Sequence, residues 1–292
     1  MAATSGIAVC AINFWPGFTF ETDFVAHLLG EAFGPVRVIE TQKDADLVLT
    51  SVFPHVACKF PAKTVAIIRE NVRPNYQFYG RSISQDFDSY GGRNCRAEGW
   101  WPQIDWDGRN RRQVNEAFNH GYEPHVGVDQ LLRPRRPPAR RPDRFCCYIA
   151  RNPEPYRRLA VEALSRIGPV DQFGAVADRP LRRSKYEVLP DYRFNLCFEN
   201  SIFPGYYTEK ALQAWVGGCV PLYWSDPWYV RDFNAKALIN RIDFPSMEAF
   251  VDRVAEVNAS PALWEQIHAE PLLLERPRLE GVIDFLQQAV GG

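Results

Sequence analysis

The sequence predicts an α/β protein built from two halves, each around a parallel β-sheet. Short apolar runs recur along the chain and are separated by helical or turn patterns, as in alternating βα units. A segment rich in proline and arginine, residues 133–142, divides the chain into two parts of similar length. The 292 residues are enough for two domains that each bury a core.

The first half is predicted to contain four strands and one crossover helix. The strands are predicted at residues 6–12, 35–39, 46–50 and 64–70. Between the first two strands, apolar residues recur at helical spacing, so a helix there would cover one face of the sheet. These apolar positions are Phe24, Val25, Leu28, Leu29 and Phe33.

Residues 133–142 read RPRRPPARRP and are predicted to link two domains, residues 1–140 and 141–292. Each proline removes a backbone donor and restrains the residue before it, so neither a helix nor a central strand fits. The arginines could reach a polyanion, but mutual repulsion on an extended segment is the more ordinary interpretation. Two halves joined in this way would leave a cleft, where ligands usually bind.

The second half continues the βα alternation in a Rossmann-like series. Strands are predicted at residues 145–150, 170–173, 194–199, 220–224 and 237–240. Helices are predicted at residues 154–167 and 208–217, and helical patterns finish the chain.

Charge and composition exclude several classes of protein. The chain has 34 basic and 35 acidic residues, so no overall charge indicates a nucleic-acid or membrane-surface partner. No stretch approaches 18 consecutive apolar residues, and the N-terminal apolar run lacks a basic flank, so neither a membrane span nor a signal peptide is predicted. The predicted location is the cytoplasm, free or peripheral at the inner membrane.

Cysteine and histidine usage indicates a reduced protein without a zinc site. The seven cysteines are an odd number and several lie in apolar runs, which favours buried thiols. No CxxC or HExxH motif is present, and the histidines are scattered among different elements. They are His27, His55, His120, His125 and His268.

Residues 194–210, FNLCFENSIFPGYYTEK, predict a pocket for an anion. A short apolar strand breaks into a polar loop and then opens a helix, whose first turn has unpaired backbone N–H groups. Glu209 and Lys210 would lie in that first turn. A lysine there is disfavoured by the helix dipole, so Lys210 is a candidate ligand for phosphate, although an ordinary surface lysine would fit the same position.

These residues resemble a known family. The segment 194–215 resembles the donor-binding motif of the α-1,3-fucosyltransferases, glycosyltransferase family 10, and the resemblance extends through residues 220–244 and 148–174. In the first half, residues 67–92 are similar to the acidic segment on the acceptor side of that family.

The resemblance implies a fold and a reaction. The implied fold is GT-B, two Rossmann-like domains facing across a cleft, with residues 1–140 binding the acceptor and residues 141–292 binding GDP-fucose. The implied reaction moves L-fucose from GDP-fucose to a hydroxyl of an N-acetylglucosamine-containing glycan such as N-acetyllactosamine. It inverts the anomeric centre, with an α-1,3 linkage expected, and requires no cofactor.

The resemblance also implies roles for individual residues. Glu70 matches the general base, at the end of a strand where a side chain leaves the sheet; the alternative is a solvated strand end paired with a neighbouring arginine. Arg157 matches the phosphate-binding arginine and would act with Lys210, although adjacent Arg158 leaves a one-residue ambiguity.

Three more residues match donor-site positions of the family. Glu209 corresponds to the carboxylate that binds the ribose hydroxyls of GDP; alternatively it is a first-turn partner of the helix dipole. Asn200 and Tyr206 would hydrogen-bond sugar or phosphate oxygens without adding charge. Loop residues of these types also form turns without any ligand.

Two DxD sequences, Asp86–Asp88 and Asp105–Asp107, spell a motif that holds a divalent cation in other glycosyltransferases. Such short spellings arise often by chance, and both lie in the half assigned to the acceptor. Because Arg157 and Lys210 would already neutralise the diphosphate, any divalent cation is expected to be non-essential.

Three alternatives remain open at this point. The chain could be a non-catalytic module that binds a nucleotide sugar or a glycan. It could instead form an α-1,4 linkage, since variable loops turn the acceptor. It could also use another guanosine-linked sugar as the donor.

Overall fold

The structure is a computed structural model that describes residues 6–108, 125–175 and 184–291. The chain divides into two compact units, Met1–Pro102 with Pro277–Gly292, and Gln103–Arg276. The boundary between residues 140 and 141 that the sequence suggests therefore lies inside the second unit. The assignment of acceptor and donor binding to two domains stays a prediction.

The strands form two larger parallel sheets and one short pair. In chain order they are β1 (Ile7–Ile12), β2 (Val36–Val38), β3 (Leu47–Thr50), β4 (Thr64–Ile67), β5 (Arg81–Ser84), β6 (Asn94–Arg96), β7 (Ile104–Asp105), β8 (Val126–Gly127), β9 (Arg144–Ile149), β10 (Val170–Phe173), β11 (Tyr192–Leu196), β12 (Val220–Tyr223) and β13 (Ile239–Asn240). The predicted parallel α/β class is confirmed, because every strand pair within the described residues is parallel.

The helices lie between the strands and at the end of the chain. They are α1 (Phe24–Phe33), α2 (Val128–Leu131), α3 (Pro155–Leu164), α4 (Lys185–Val188), α5 (Lys210–Val216), α6 (Met247–Ala259), α7 (Pro261–Ala269) and α8 (Glu280–Gly291). Helix α1 begins where Asp23 accepts a 2.9 Å hydrogen bond from the backbone N–H of Val25, and it ends at Gly34 with φ of 76°.

The first unit contains a six-stranded sheet in the order β2-β1-β3-β4-β5-β6. Helix α8, from the end of the chain, packs against α1 and β6. The sequence predicts α8 as part of the second domain, residues 141–292, because the local pattern of the helix does not show which sheet it covers.

Strands β5 and β6 were not predicted, because their sequences, RSIS and NCR, are short and polar. They are held by a side-chain network. The amide oxygen of Asn94 accepts 2.8 Å hydrogen bonds from the hydroxyls of both Ser82 and Ser84. Tertiary contacts, which no sequence period shows, therefore stabilise these strands.

The second unit contains a five-stranded sheet in the order β10-β9-β11-β12-β13. Its core lies between the sheet and helices α3, α6 and α7, where Phe194, Leu222, Phe250 and Trp264 are buried in one cluster. The order of the strands reverses between β9 and β11. In an open α/β sheet, this reversal marks the crevice where ligands bind, outside the carboxyl ends of the strands.

Residues 133–142 belong to the second unit and pack on it. The backbone N–H of Arg135 donates to the carbonyl of Ala269 at 3.0 Å, and the guanidinium of Arg193 donates to the carbonyl of Pro142 at 3.0 Å. The segment is extended, as its prolines predict, but it lies within one unit instead of linking two.

Candidate functional site

The candidate site lies at the carboxyl edge of the second sheet, where the strand order reverses. Helix α3 follows β9, and a loop followed by α5 comes after β11. Five of the six predicted site residues lie on these segments: Arg157, Asn200, Tyr206, Glu209 and Lys210. The sequence predictions for α3, β11 and α5 therefore placed these residues on adjacent elements.

Arg157 joins the two segments. It is only 3% exposed. Its Nε and Nη2 atoms donate to the carbonyl of Phe198 at 3.0 and 2.5 Å, and Nη2 also donates to Oδ1 of Asn200 at 2.6 Å. All of these acceptors are neutral, so none of them is a counter-ion for the guanidinium. Arg158 is exposed, so Arg157 is the arginine that lies at the reversal point.

Lys210 is the first residue of α5, and its ammonium group lies among oxygen atoms. Nζ is 3.1 Å from Oε2 of Glu199, 2.8 Å from the hydroxyl of Thr208 and 3.6 Å from Oε1 of Glu209. Burial alone would lower the pKa of Lys210, but the carboxylates of Glu199 and Glu209 raise it. The ammonium therefore stays charged, and the two carboxylates offset the unfavourable helix dipole.

Glu199 is a fully buried carboxylate that the sequence analysis noted only as the end of a strand pattern. Besides Lys210, it accepts hydrogen bonds from the backbone N–H of Thr208 at 2.8 Å and from the hydroxyl of Tyr223 at 2.7 Å. Burial and the charge of Glu199 both raise the pKa of Tyr223, which therefore remains a neutral donor. In the sequence, the feature that indicates a buried partner for Lys210 is a carboxylate shortly after the buried strand β11.

Glu209 occupies the N-cap position of α5 without a capping hydrogen bond from its side chain, and it is more accessible than Glu199, with 36% of its side chain exposed. Burial would raise the pKa of Glu209, but the ammonium groups of Lys210 and Lys185 lower it. The site thus presents an ionised carboxylate whose oxygens can accept hydrogen bonds from a ligand.

The loop between β11 and α5 is anchored by Asp226, which follows β12. The carboxylate of Asp226 accepts hydrogen bonds from the Gly205 N–H at 3.3 Å and from the Tyr207 hydroxyl at 3.0 Å. Gly205 has φ of 94°, a left-handed conformation that favours glycine. Tyr206 follows it and is buried at 3% exposure, so its ring is held by the protein.

Glu70, the remaining predicted residue, lies in the first unit just after β4 and is exposed. From the sequence, the alternative is an ion pair between Glu70 and a neighbouring arginine. Both neighbours pair elsewhere: Arg69 forms two hydrogen bonds to Asp23, at 2.9 and 2.6 Å, and Arg73 pairs with Asp86. Glu70 makes no ion pair with any residue that the structure describes.

The DxD sequence at residues 86–88 is engaged by protein groups. Asp86 is buried and accepts hydrogen bonds from Arg73 and from the Tyr90 hydroxyl, while Asp88 accepts one from the Tyr90 N–H at 2.7 Å. Across residues 6–108, 125–175 and 184–291, no group of three or more His, Cys, Asp and Glu side chains is arranged to hold a metal ion. His120 lies outside the described residues.

A comparison with protein families identifies the segment that carries the site. Residues 140–269 match the family model for glycosyltransferase family 10 (fucosyltransferase), C-terminal part. This range includes Arg157, Asn200, Tyr206, Glu209 and Lys210, and Glu70 lies outside it.

Two relatives of the chain carry the name of fucosyltransferases. The chain is 27% identical over 229 residues to the α-(1,3)-fucosyltransferase FucT of Helicobacter pylori, an alignment that covers 72% of this chain and 48% of that protein. It is 26% identical over 145 residues to the putative fucosyltransferase R654 of Acanthamoeba polyphaga mimivirus, covering 45% and 24% of the two chains. The chain thus spans less than half the length of both relatives.

Solved structures share the fold of this chain. A crystal structure of an α1,3-fucosyltransferase with GDP-fucose matches with a TM-score of 0.76 and 21% identity, covering 100% of this chain and 93% of that one. A second structure, with GDP, matches with a TM-score of 0.76 and 22% identity over the same shares of the two chains. These matches confirm the GT-B fold class expected from the sequence.

None of the helices in the described ranges combines the length and the apolar character needed to cross a membrane.

Proposed function

We propose that this protein transfers L-fucose from GDP-fucose to a hydroxyl of an N-acetylglucosamine-containing glycan, with inversion and an α-1,3 linkage. The observation that carries the proposal is the pair of cations, Arg157 and Lys210, at the point where strand order reverses in a family 10 domain. The transferred sugar and the α-1,3 linkage follow the names of the relatives, and the acceptor class follows the resemblance of the sequence to family 10. N-acetyllactosamine is the simplest acceptor to try.

Arg157 and Lys210 would bind the diphosphate of the donor. As the bond to fucose breaks, negative charge builds on the departing GDP, and two fixed cations stabilise that charge. Arg157 suits this role because its present acceptors are neutral oxygens, so its N–H donors can be shared with phosphate oxygens. Asn200 would reorient its amide toward the ligand, and Tyr206 would contribute its hydroxyl.

Glu209 would bind the ribose of GDP. Its side chain is partly exposed and its pKa is lowered, so both carboxylate oxygens can accept hydrogen bonds from the two adjacent hydroxyls of the ribose. Glu199 is fully buried and cannot serve in this way; it would instead hold Lys210 in place.

Glu70 would remove the proton from the attacking hydroxyl of the acceptor. An inverting transfer needs one such base, and GDP departs as a stable anion without a general acid. The carboxylate of Glu70 is exposed and makes no ion pair among the described residues, so its oxygens are available to a hydroxyl. This availability favours an enzyme over a module that only binds its ligand.

The proposal includes three finer points: no requirement for a divalent cation, a cytoplasmic location, and fucose as the transferred sugar. An α-1,4 linkage and another guanosine-linked donor are the competing outcomes. All except the location are tested by one assay.

Purified protein incubated with GDP-fucose and a type 2 disaccharide is expected to form an α-1,3-fucosylated product at an equal rate with and without a chelator. Product linkage is determined by NMR, and type 1 disaccharide and GDP-mannose serve as competing acceptor and donor. If only the type 1 acceptor gives a product, the α-1,4 linkage replaces the α-1,3 linkage in the proposal. GDP binding without any product from either acceptor would establish the binding module.

Arg157 and Arg158 form a matched pair for testing the donor site. Replacing Arg157 by Ala is expected to weaken GDP binding by about 10- to 100-fold, because a charge-assisted bidentate contact is lost. Replacing exposed Arg158 by Ala is expected to change it less than about twofold. Calorimetric titration with GDP measures both, and equal losses in the two variants would contradict the assignment to Arg157.

A further inference from the structure

A groove on the second unit is lined by three arginines and, among the residues that the structure describes, by no carboxylate. Its volume is about 480 Å³. The proline- and arginine-rich segment forms one wall, and Trp215, Gly218 and His268 lie on the other. We call it the arginine groove, after Arg133, Arg135 and Arg136. These three arginines are separate from the residues proposed for GDP-fucose and acceptor chemistry.

Arg135 turns inward from the segment and forms the floor of the groove. Its guanidinium lies over the Trp215 ring, 4.6 Å from the ring centre. It donates to three backbone carbonyls, those of Trp215 at 2.5 Å, Cys219 at 3.1 Å and His268 at 2.7 Å. Nη2 is buried and has no hydrogen-bond partner in the described parts of the chain.

No carboxylate balances the charge of Arg135 within the described residues. Burial lowers the pKa of Arg135 to about 9. Burial and the nearby Arg135 together lower the pKa of His268 to about 3, so the imidazole stays neutral. A cation held away from water without a counter-ion is unfavourable, and an anion in the groove would offset that cost.

Arg133 and Arg136 lie at the rim and differ from the other arginines of the segment. Both are exposed, and neither makes a hydrogen bond or an ion pair with a residue that the structure describes. Arg140, in contrast, pairs with Asp143 at 2.8 Å. Arg141 donates to the carbonyl of Asn258 at 2.7 Å and so fastens the segment to the unit.

The backbone that carries the rim arginines is stiff. Prolines 134, 137, 138 and 142 restrict it, and the contacts of Arg135 and Arg141 hold it at both ends. Little backbone freedom would be lost when a ligand binds, so the entropic cost would be confined to the side chains of the rim arginines. Planar guanidinium groups held in this way suit an anion with several oxygen atoms.

We propose that the arginine groove binds a phosphate-type oxyanion, with Arg133 and Arg136 contacting its oxygens and Arg135 supplying charge from the floor. The phosphate can belong to a small soluble molecule or to a lipid headgroup, since both present the same oxygens. This site is independent of the proposed function, because none of its residues is assigned to the donor or the acceptor.

The test is a calorimetric titration of the full chain with inorganic pyrophosphate, in the presence of saturating GDP so that the donor site is filled. The double variant Arg133→Ala and Arg136→Ala is expected to weaken binding at least about tenfold. Arg140→Ala, in the same segment, is expected to change it less than about twofold. Repeating the titration in Lys210→Ala separates this site from the donor site, because the groove should be unaffected.

Sedimentation with vesicles identifies the source of the phosphate. If the wild type binds phosphatidylglycerol vesicles but not phosphatidylcholine vesicles, and the double variant loses this binding, the ligand is a lipid headgroup. If the double variant loses only the binding of pyrophosphate, the ligand is a small soluble molecule. Thermal melting checks that the double variant is folded. Equal binding of pyrophosphate and of vesicles by wild type and double variant would overturn the proposal, and so would an equal loss in Arg140→Ala.

Discussion

Replacing Glu70 by Gln is expected to lower the rate of fucose transfer by about 10²- to 10⁴-fold, the range usually supplied by a positioned general base. Gln keeps the size of the side chain and removes its ability to take a proton. Because Glu70 is exposed and makes no ion pair with a described residue, the substitution should leave the fold and the free energy of unfolding unchanged.

GDP binding distinguishes this effect from general damage. The dissociation constant for GDP is expected to stay within about twofold of the wild-type value, because the cations that would hold the diphosphate belong to the second unit. Glu31→Gln, the same change at an exposed position of α1, is the matched control and should keep full activity. A Glu70→Gln variant that transfers fucose at the wild-type rate would remove Glu70 from the proposed mechanism.

A local pattern singles out Lys210 in the sequence, whereas the roles of Arg157, Asn200, Tyr206 and Glu209 come from the resemblance to family 10. The apolar run of β11, the break at Pro204 and Gly205, and the helical spacing after Thr208 are all visible within 17 residues. The reversal of strand order between β9 and β11 then places this segment beside the start of α3. Local patterns therefore predict the two segments, and the topology of the sheet brings Arg157 near Lys210.

The partner of Lys210 could not be found in the same way. Glu199 is held by Tyr223, which lies 24 residues further along the chain on a neighbouring strand. Only the register between β11 and β12, in which Leu196 pairs with Leu222, brings the two side chains together. In the sequence, Glu199 is an acidic residue after a strand, and its local pattern does not distinguish a buried hydrogen-bond acceptor from a solvated carboxylate.

Contacts between distant parts of the chain also explain the differences in the fold. Helix α8 packs on α1, more than 240 residues earlier, where Gln287 donates to the carbonyl of Ala32 at 2.7 Å. The proline-rich segment has the extended form that its composition predicts, but the stacking of Arg135 on Trp215 attaches it to the second unit. Composition determines conformation here, while the packing partner depends on the whole fold.

Replacing Glu199 by Ala is expected to destabilise the protein by about 3–5 kcal/mol, the usual cost of removing one partner from a buried ion pair. The change would leave the Thr208 N–H and the Tyr223 hydroxyl without their acceptor and the Lys210 ammonium without its nearest carboxylate. Urea unfolding followed by tryptophan fluorescence measures the loss, since Trp215 lies buried on α5.

Tyr223→Phe is the matched control for Glu199→Ala. It removes one hydrogen bond to the same carboxylate and leaves the Lys210 pair intact, so the expected loss is about 0.5–1.5 kcal/mol. A loss for Glu199→Ala no larger than this would show that the ammonium of Lys210, which is 24% exposed, simply turns to water. Glu199 would then be one acceptor among several and would not hold the lysine in position.

The pH dependence of the Glu199→Ala effect provides a second check. The pKa of Lys210 is raised in the folded protein, so the stability that its charge contributes is fully present below the unfolded value of about 10.5 and is lost as the pH rises through the folded value. Between pH 7 and pH 9 the contribution of the charged pair to the difference between wild type and variant should therefore be constant. A difference that shrinks markedly across that interval would mean that Lys210 loses its proton near neutral pH. A neutral lysine would stabilise neither the buried carboxylate nor a bound diphosphate, and the proposed role of this residue in the donor site would fail with it.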